Sequence, residues 1–181
     1  MPFDAPFQLG PFAVSLDGRL ALAAPECLPR FDITWRGCTV EVMLRTRDDS
    51  FGELSLRAVI GRVPSTARTT GPLNKGHAVT AQATAQRQAV LATLRSLPAT
   101  LPEGWRSDLL ADHRVALLSA SKLELPTTAE SLLTDVTLFL LALGPYLDLL
   151  AEVGMEAPNG STSGRKNLLF VSKKKRKNFI H

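Results

Sequence analysis

Cysteine and histidine are scarce in this chain, and their placement excludes several kinds of site. The two cysteines, Cys27 and Cys38, have no metal-ligand spacing and fall on different predicted segments. They indicate small buried side chains in a reducing compartment and not a disulfide framework. The histidines are His77 in a predicted loop, His113 at a hairpin tip and His181. No local spacing converges two of them, as a metal site or a nucleophile–base pair requires.

The sequence also lacks the motifs that mark phosphate or acid–base chemistry. Residues 61–66, Gly-Arg-Val-Pro-Ser-Thr, do not contain the Gly-Lys-Ser/Thr of a phosphate-binding loop. Asp108, Asp112 and Glu124 fall along a predicted hairpin region, where polar side chains are typical of the solvated face of a sheet. We therefore predict a protein that is not an enzyme and that binds no cofactor and no metal.

A targeting signal is missing as well. No basic cluster followed by an apolar run stands near residue 1, so the sequence predicts a cytoplasmic protein. With 181 residues, 45% hydrophobic and 21% charged, the chain has enough apolar side chains to form a core without metals or disulfides. These values predict one domain over residues 1–157.

The net charge of +4 combines two parts of opposite sign. Residues 165–181, the basic segment, carry seven basic side chains and no acidic one. Removing these seven from the chain's 21 basic residues leaves 14 against 17 acidic residues, so the first 164 residues carry −3. The stretch 158–164 predicts a flexible linker, and the basic segment has the composition of a disordered tail.

Five adjacent cations in the basic segment favour contact with polyanions by charge alone. They are Lys173, Lys174, Lys175, Arg176 and Lys177. The run resembles a nuclear-import signal, but the Ala-, Leu-, Arg- and Pro-rich body is typical of a bacterial protein. A nucleic-acid-associated protein that acts nonspecifically through this segment is therefore one candidate function.

Alternating apolar residues predict antiparallel hairpins in the first part of the chain. A two-residue loop at 36–37 places Trp35 opposite Cys38 and Ile33 opposite Val40, all on one face. An earlier hairpin pairs residue 14 with residue 20 and residue 12 with residue 22. The later elements are a strand at 54–60, a loop at 65–79, a helix at 80–96, a hairpin at 105–118 and a helix at 128–150.

The predicted helix 128–150 is unusually apolar. Thr127 and Glu130 have the spacing of a capping box at its start. Apolar residues recur at three- and four-residue steps, which is the spacing of one helical face. That face comprises Leu132, Leu133, Val136, Phe139, Leu140, Leu143 and Leu147, and Leu138, Leu141 and Leu149 widen it.

Three environments would bury the apolar surface of such a helix. A membrane is possible on length, but Asp135 and Asp148 would each cost ~2.5–3.5 kcal/mol near a bilayer centre, and Gly144-Pro145 interrupts the hydrogen-bond ladder. The second is complete burial in the protein's own core, with a kink or restart at Pro145. The third, which we favour, is packing on the protein's own sheet on one side and on a second copy on the other.

Four side chains lie off the main core face and form the predicted partner or dimer interface. They are Leu138, Leu141, Tyr146 and Leu149.

From Leu54 to Val153 the layout resembles the bacterial type III secretion chaperones and the related YbjN-like proteins. The similar pieces are a strand over 56–64, a helix carrying Val90 to Leu94, a hairpin from Gly104 to Leu118, and a closing helix after Leu125-Pro126. The resemblance implies a small α+β protein, commonly dimeric, that binds partner proteins and performs no chemistry.

The sequence thus predicts an α+β fold in which two helices pack on one face of an antiparallel sheet of hairpins. The order is hairpin, hairpin, strand, helix, hairpin and long helix. The predicted function is non-enzymatic binding of a protein partner, chaperone- or adaptor-like, by a homodimer. The alternatives are nucleic-acid association through the basic segment and membrane association through helix 128–150.

Overall fold

The computed structural model describes residues 4–24, 26, 28–46, 51–65 and 76–158. Within them it has an α+β arrangement, as predicted. The elements in chain order are β1 (Phe7–Leu9), β2 (Phe12–Val14), β3 (Leu20–Leu22), β4 (Arg30–Trp35), β5 (Cys38–Thr46), β6 (Phe51–Arg62), α1 (Gly76–Ser96), a 3₁₀ turn (Leu97–Ala99), β7 (Trp105–Leu109), β8 (Arg114–Glu124) and α2 (Ala129–Glu152).

Five strands form the main sheet in the order β4-β5-β6-β8-β7, and all its pairings are antiparallel. The predicted register of the β4–β5 hairpin is confirmed, with Trp35 opposite Cys38 and Ile33 opposite Val40. Its turn residues, Arg36 and Gly37, have φ of 48° and 78°. Two positive φ angles in a two-residue loop are what a tight hairpin turn requires, because they match the twist of the strands.

One face of this sheet is buried under both helices. The period-2 alternation of the strands puts their apolar residues on that face, and Val90 of α1 and Leu132 of α2 belong to the same buried cluster. Among the described residues no helix packs on the opposite face, which we call the open face. The sheet's contribution to the core comprises Val40, Val42, Leu44, Leu54, Leu56, Ala58, Ile60, Val115, Leu117 and Leu123.

The first predicted hairpin differs from expectation, because it belongs to a separate sheet. Its register is confirmed, with Val14 opposite Leu20, but β1 adds a third strand and makes the order β1-β2-β3. Gly10, with φ of 56°, turns β1 back onto β2. The small sheet joins the core through Phe12, which is buried and meets Phe31 edge-on.

The cap of α2 lies one residue later than predicted. The Thr128 side chain accepts a hydrogen bond from the Ser131 N–H, so Thr128 and not Thr127 is the N-cap. Thr127 is buried, and its carbonyl accepts from the Leu20 N–H of the small sheet. Tertiary pairing with the small sheet therefore sets the start of the helix. The proline of Gly144-Pro145 does not restart it, since α2 continues from Ala129 to Glu152.

Several predicted boundaries also move. Helix α1 begins at Gly76, so His77 lies in its first turn and not in a loop. Strand β6 is longer at both ends than the predicted 54–60. Cys27, residues 66–75 of the predicted loop, residues 159–164 of the predicted linker and the whole basic segment lie outside the described residues.

After α2 the chain returns to the sheet. Arg62 and Glu156 exchange backbone hydrogen bonds of 2.8 and 3.0 Å. Gln86 of α1 donates a side-chain hydrogen bond of 2.7 Å to the Gly154 carbonyl. These contacts carry the chain past the end of β6 to Pro158, which lies beside the open face.

Candidate functional site

The side of α2 that faces away from the sheet carries an apolar stripe. Leu138, Leu141, Pro145 and Leu149 follow one another at steps of three, four and four residues, which places them on one side of a helix. We call these four residues the outer stripe. The three leucines are 59%, 65% and 40% exposed, although their helix is held firmly on its other side by Leu132, Leu143 and Leu150, which are fully buried.

Three of the four predicted interface residues thus stand on an exposed surface, and Tyr146 does not. Its ring packs on the core beside Trp105, with ring centroids 6.1 Å apart. Its hydroxyl donates a 2.6 Å hydrogen bond to the Thr100 carbonyl. Tyr146 fastens α2 to the segment between α1 and β7. The sequence does not assign Tyr146 to one side of the helix, because this half-buried residue lies at the border between the buried and the exposed face.

Leu133 is a residue that the sequence assigned to the wrong side. The predicted core face included it, but it is 42% exposed. It lies five residues before Leu138, so it points away from the outer stripe. The three- and four-residue spacing alone does not separate it from Leu132, which is buried.

Pro145 lies on the exposed side of α2. It has no N–H to donate to the carbonyl of Leu141, the residue four positions earlier. The helix therefore lacks one of its regular backbone hydrogen bonds at the centre of the outer stripe.

The β4–β5 turn braces the same part of α2. Arg36 donates from Nη2 to Asp148 Oδ1 at 2.5 Å and from Nη1 to Oδ2 at 3.3 Å. Its Nη1 also lies 3.5 Å from the Gly144 carbonyl, and its guanidinium lies over the Trp35 ring. Trp35 and Arg36 pack close to the helix at Gly144, where an added Cβ would stand 3.4 Å from Arg36 Nη1 and 3.6 Å from the Trp35 ring, in ordinary van der Waals contact.

Every charged side chain of α2 is acidic. The helix carries Glu130, Asp135, Asp148 and Glu152 and no basic residue. Glu130 and Glu152 are exposed, and each lies eleven residues, or three turns, from Leu141. The two carboxylates therefore stand on the line of the outer stripe at its opposite ends, ~33 Å apart at 1.5 Å per residue.

A second candidate surface is the open face of the main sheet. A shallow groove of about 510 Å³ crosses it between β5 and β7. Its charges are mixed and largely compensate one another, since Glu41 is paired with Arg30 at 3.2 Å and with Arg57 at 3.8 Å. The groove is lined by Glu41, Met43, Arg45, Glu53, Ser55, Arg57, Gly104, Arg106, Asp108, Leu118, Ser119 and Ala120.

In the part of the chain that the structure describes, no cysteine or histidine lines the groove of the open face. Cys38 is buried at the start of β5, and burial raises the pKa of its thiol while the nearby Arg36 opposes that rise. His113 occupies the β7–β8 turn with φ of 64°. Among the described residues, no three His, Cys, Asp or Glu side chains are grouped to hold a metal ion.

By length and composition α2 is a helix that can cross a membrane, with a mean hydropathy of 1.5 in its most apolar window. Only 28% of that window is buried in the protein. Core helices of soluble proteins pass the same criterion, but they are mostly buried. The exposed half of α2 is therefore an apolar surface that a membrane or another protein chain could contact.

The comparisons with known proteins return nothing. No protein-family model, curated protein sequence or solved structure matches this chain. The resemblance to type III secretion chaperones and YbjN-like proteins therefore stays a prediction, and the outer stripe of α2 is the candidate site on the geometry alone.

Proposed function

We propose that this protein is a non-enzymatic, protein-binding protein, chaperone- or adaptor-like, that self-associates through the outer stripe of α2. The observation that carries the proposal is the exposure of Leu138 and Leu141 in the middle of a helix whose other side is fixed in the core. Exposed apolar surface held in a rigid frame is typical of an association site, because burying a leucine contributes ~1.5–3 kcal/mol.

A second copy suits the stripe because the stripe is nearly symmetric along the helix. In an antiparallel pair of α2 helices, Leu138 of one copy lies near Leu149 of the other, and the centres of the two stripes meet. Such an isologous contact requires a patch that complements itself. Every charged side chain of α2 is acidic, so the same pairing brings like charges together, and association is expected to be weak and to strengthen when salt screens the carboxylates.

A membrane competes less well for this surface. Insertion of α2 across a bilayer would remove Leu132, Leu143 and Leu150 from the core in which they are fully buried. It would also carry Asp135 and Asp148 into the hydrocarbon, at ~2.5–3.5 kcal/mol for each near the centre. Contact with protein through the outer stripe leaves the core and the Arg36–Asp148 pair in place.

The test is light scattering after size exclusion, at two protein concentrations in 0.5 M NaCl, with the full chain and two variants. Leu141→Asp places a charge at the centre of the stripe. Leu16→Asp is the matched control, because Leu16 is 51% exposed in the β2–β3 turn and is not part of the outer stripe. Sedimentation with neutral phosphatidylcholine vesicles tests the membrane.

We expect the wild type and Leu16→Asp to gain mass with concentration and Leu141→Asp to remain a monomer. The circular dichroism of both variants should match the wild type, because both sites are on the surface. Equal self-association of Leu141→Asp and wild type would refute the proposal. Vesicle binding by the wild type that Leu141→Asp loses would replace it with the membrane function.

A further inference from the structure

The outer stripe and the basic segment match each other in charge, apolar content and length. We infer that the basic segment of the same chain docks along the outer stripe of α2 and competes with the second copy for it. This inference rests on the proposed function, since it names the regulation of that same surface.

The charges are complementary. Four acidic and no basic residues stand on α2, and the basic segment has seven basic residues and no acidic one. Among ion pairs between described residues, Arg36 is the base that contacts this helix, and it contacts Asp148. Glu130 and Glu152, at the two ends of the stripe, are therefore the carboxylates that a cationic segment would meet.

The apolar residues also correspond. Leu168, Leu169, Phe170 and Val171 stand between the Arg165-Lys166 pair and the cations from Lys173 to Lys177. The stripe has the same order, with leucines between two carboxylates. A chain extended at ~3.3 Å per residue separates Lys166 from Lys177 by ~36 Å, which matches the ~33 Å between Glu130 and Glu152.

The connection is long enough for the docking. Pro158 is six residues from Glu152 at the end of α2, so the two lie within ~20 Å of each other. Residues 159–164 supply six more residues before Arg165, again up to ~20 Å. The segment can therefore reach the Glu152 end of the stripe and run toward Glu130, antiparallel to the helix.

A lysine-rich occupant also brings hydrogen-bond donors to the helix near Pro145. The carbonyl of Leu141 receives no hydrogen bond from Pro145, and an ammonium group carries three donors. The open face offers less to a cation, because Arg30 and Arg57 already stand beside its Glu41. Attachment to the same chain raises the effective concentration to the order of mM, which favours the basic segment over a second copy in dilute solution.

The first test is zero-length carbodiimide cross-linking of the full chain at low micromolar concentration, with cross-linked peptides identified by mass spectrometry. A mixture of isotope-labelled and unlabelled protein separates links within one chain from links between chains. We expect intramolecular links from Lys166 and Lys173–Lys177 to Glu130 and Glu152, lost in 0.5 M NaCl. Links mainly to Glu53 or Glu124 of the sheet, links only between chains, or no links would overturn the inference.

The second test is the self-association of a full chain in which Lys173, Lys174, Lys175 and Lys177 are changed to Gln, measured at 50 mM NaCl. If the segment leaves the stripe free in a tenth of the molecules, the dimer dissociation constant falls by about 100-fold in this variant, because both copies are freed. Lys122→Gln on the open face is the control and should change nothing. An unchanged constant in the multiple variant would also overturn the inference.

The two tests keep the inference distinct from the proposed function. If Leu141→Asp self-associates as the wild type does, self-association through the stripe is refuted. The cross-links are measured on monomers, so their result does not depend on that outcome. Binding of the segment to a short single-stranded DNA with no link to α2 would assign it to a polyanion instead.

Discussion

The guanidinium of Arg36 lies against the carboxylate of Asp148, with Nη2 2.5 Å from Oδ1 and Nη1 3.3 Å from Oδ2. This pair joins the tip of the β4–β5 hairpin to the exposed side of α2, 112 residues later. Together with the buried Leu150 and the Tyr146–Thr100 hydrogen bond, it holds the second half of the helix in place. The outer stripe therefore has a rigid frame at both of its sides, the core beneath and Arg36 beside it.

Replacement of Arg36 is expected to loosen this frame modestly. Arg36→Ala should lower the free energy of unfolding by about 0.5–1 kcal/mol, because the pair is exposed and partly screened by water. Arg36→Lys should restore little of it, since an ammonium cannot make the two-pronged contact. Chemical denaturation measures both, and the loss should shrink in 1 M NaCl.

The control for that experiment is Arg19→Ala. Arg19 pairs with Asp17 at 3.2 Å within its own turn, and both side chains are more than half exposed. It should change the stability less than Arg36→Ala does. Equal losses of stability in the two variants would mean that the contact between the hairpin and α2 contributes no more than an exposed ion pair within one turn.

The sheet was predictable from the sequence because its signal is local. Trp35, Ile33 and their partners alternate on either side of a two-residue turn, and one register alone puts every apolar side chain on the buried face. The same reasoning gave the pairing of Val14 with Leu20. Where a turn and an alternation agree, the structure confirms the pairing.

The third strand of the small sheet and the cap of α2 were not predictable in this way. Strand β1 has only three residues, too few for an alternation to be visible. Thr127 and Thr128 are both good caps by residue type, and the choice is made by the backbone bonds from Leu20 and Ala129 to residues distant in sequence. Tertiary contact decides between local options of equal strength.

The candidate site was predictable in part. Its three leucines followed from the excess of apolar residues on the helix. The role of Tyr146 did not, because its partner Thr100 is 46 residues away. Glu130 and Glu152 at the two ends of the stripe had a signal, their eleven-residue distances from Leu141, which becomes meaningful once the exposed side of the helix is known.

The thiol of Cys38 should be unreactive and should become a source of instability at high pH. Burial raises the pKa of this thiol, so the thiolate is scarcer than in an unfolded chain at the same pH. The contribution to stability is full below the pKa of the unfolded thiol and is lost as the pH rises through the folded one. Relative to Cys38→Ala, the wild type should therefore lose stability between neutral and strongly alkaline pH.

Alkylation measures the same effect directly. In a Cys27→Ser background, which leaves one thiol, iodoacetamide should modify Cys38 far more slowly in buffer than in denaturing urea at each pH. Similar rates in the two solvents would show that Cys38 is accessible, contrary to its 2% exposure.

Tyr146→Phe tests whether the Tyr146 hydroxyl supports α2 within the protein or contacts a partner. The substitution keeps the ring that packs beside Trp105 and removes the hydroxyl that donates to the Thr100 carbonyl. We expect the free energy of unfolding to fall by about 0.5–1.5 kcal/mol, the usual contribution of one hydrogen bond. Because the hydroxyl is turned toward the protein's own backbone, self-association should keep its wild-type dissociation constant, whereas Leu141→Asp should abolish it. A Tyr146→Phe protein of normal stability with weakened association would place this hydroxyl in the interface and extend the contact surface beyond the outer stripe.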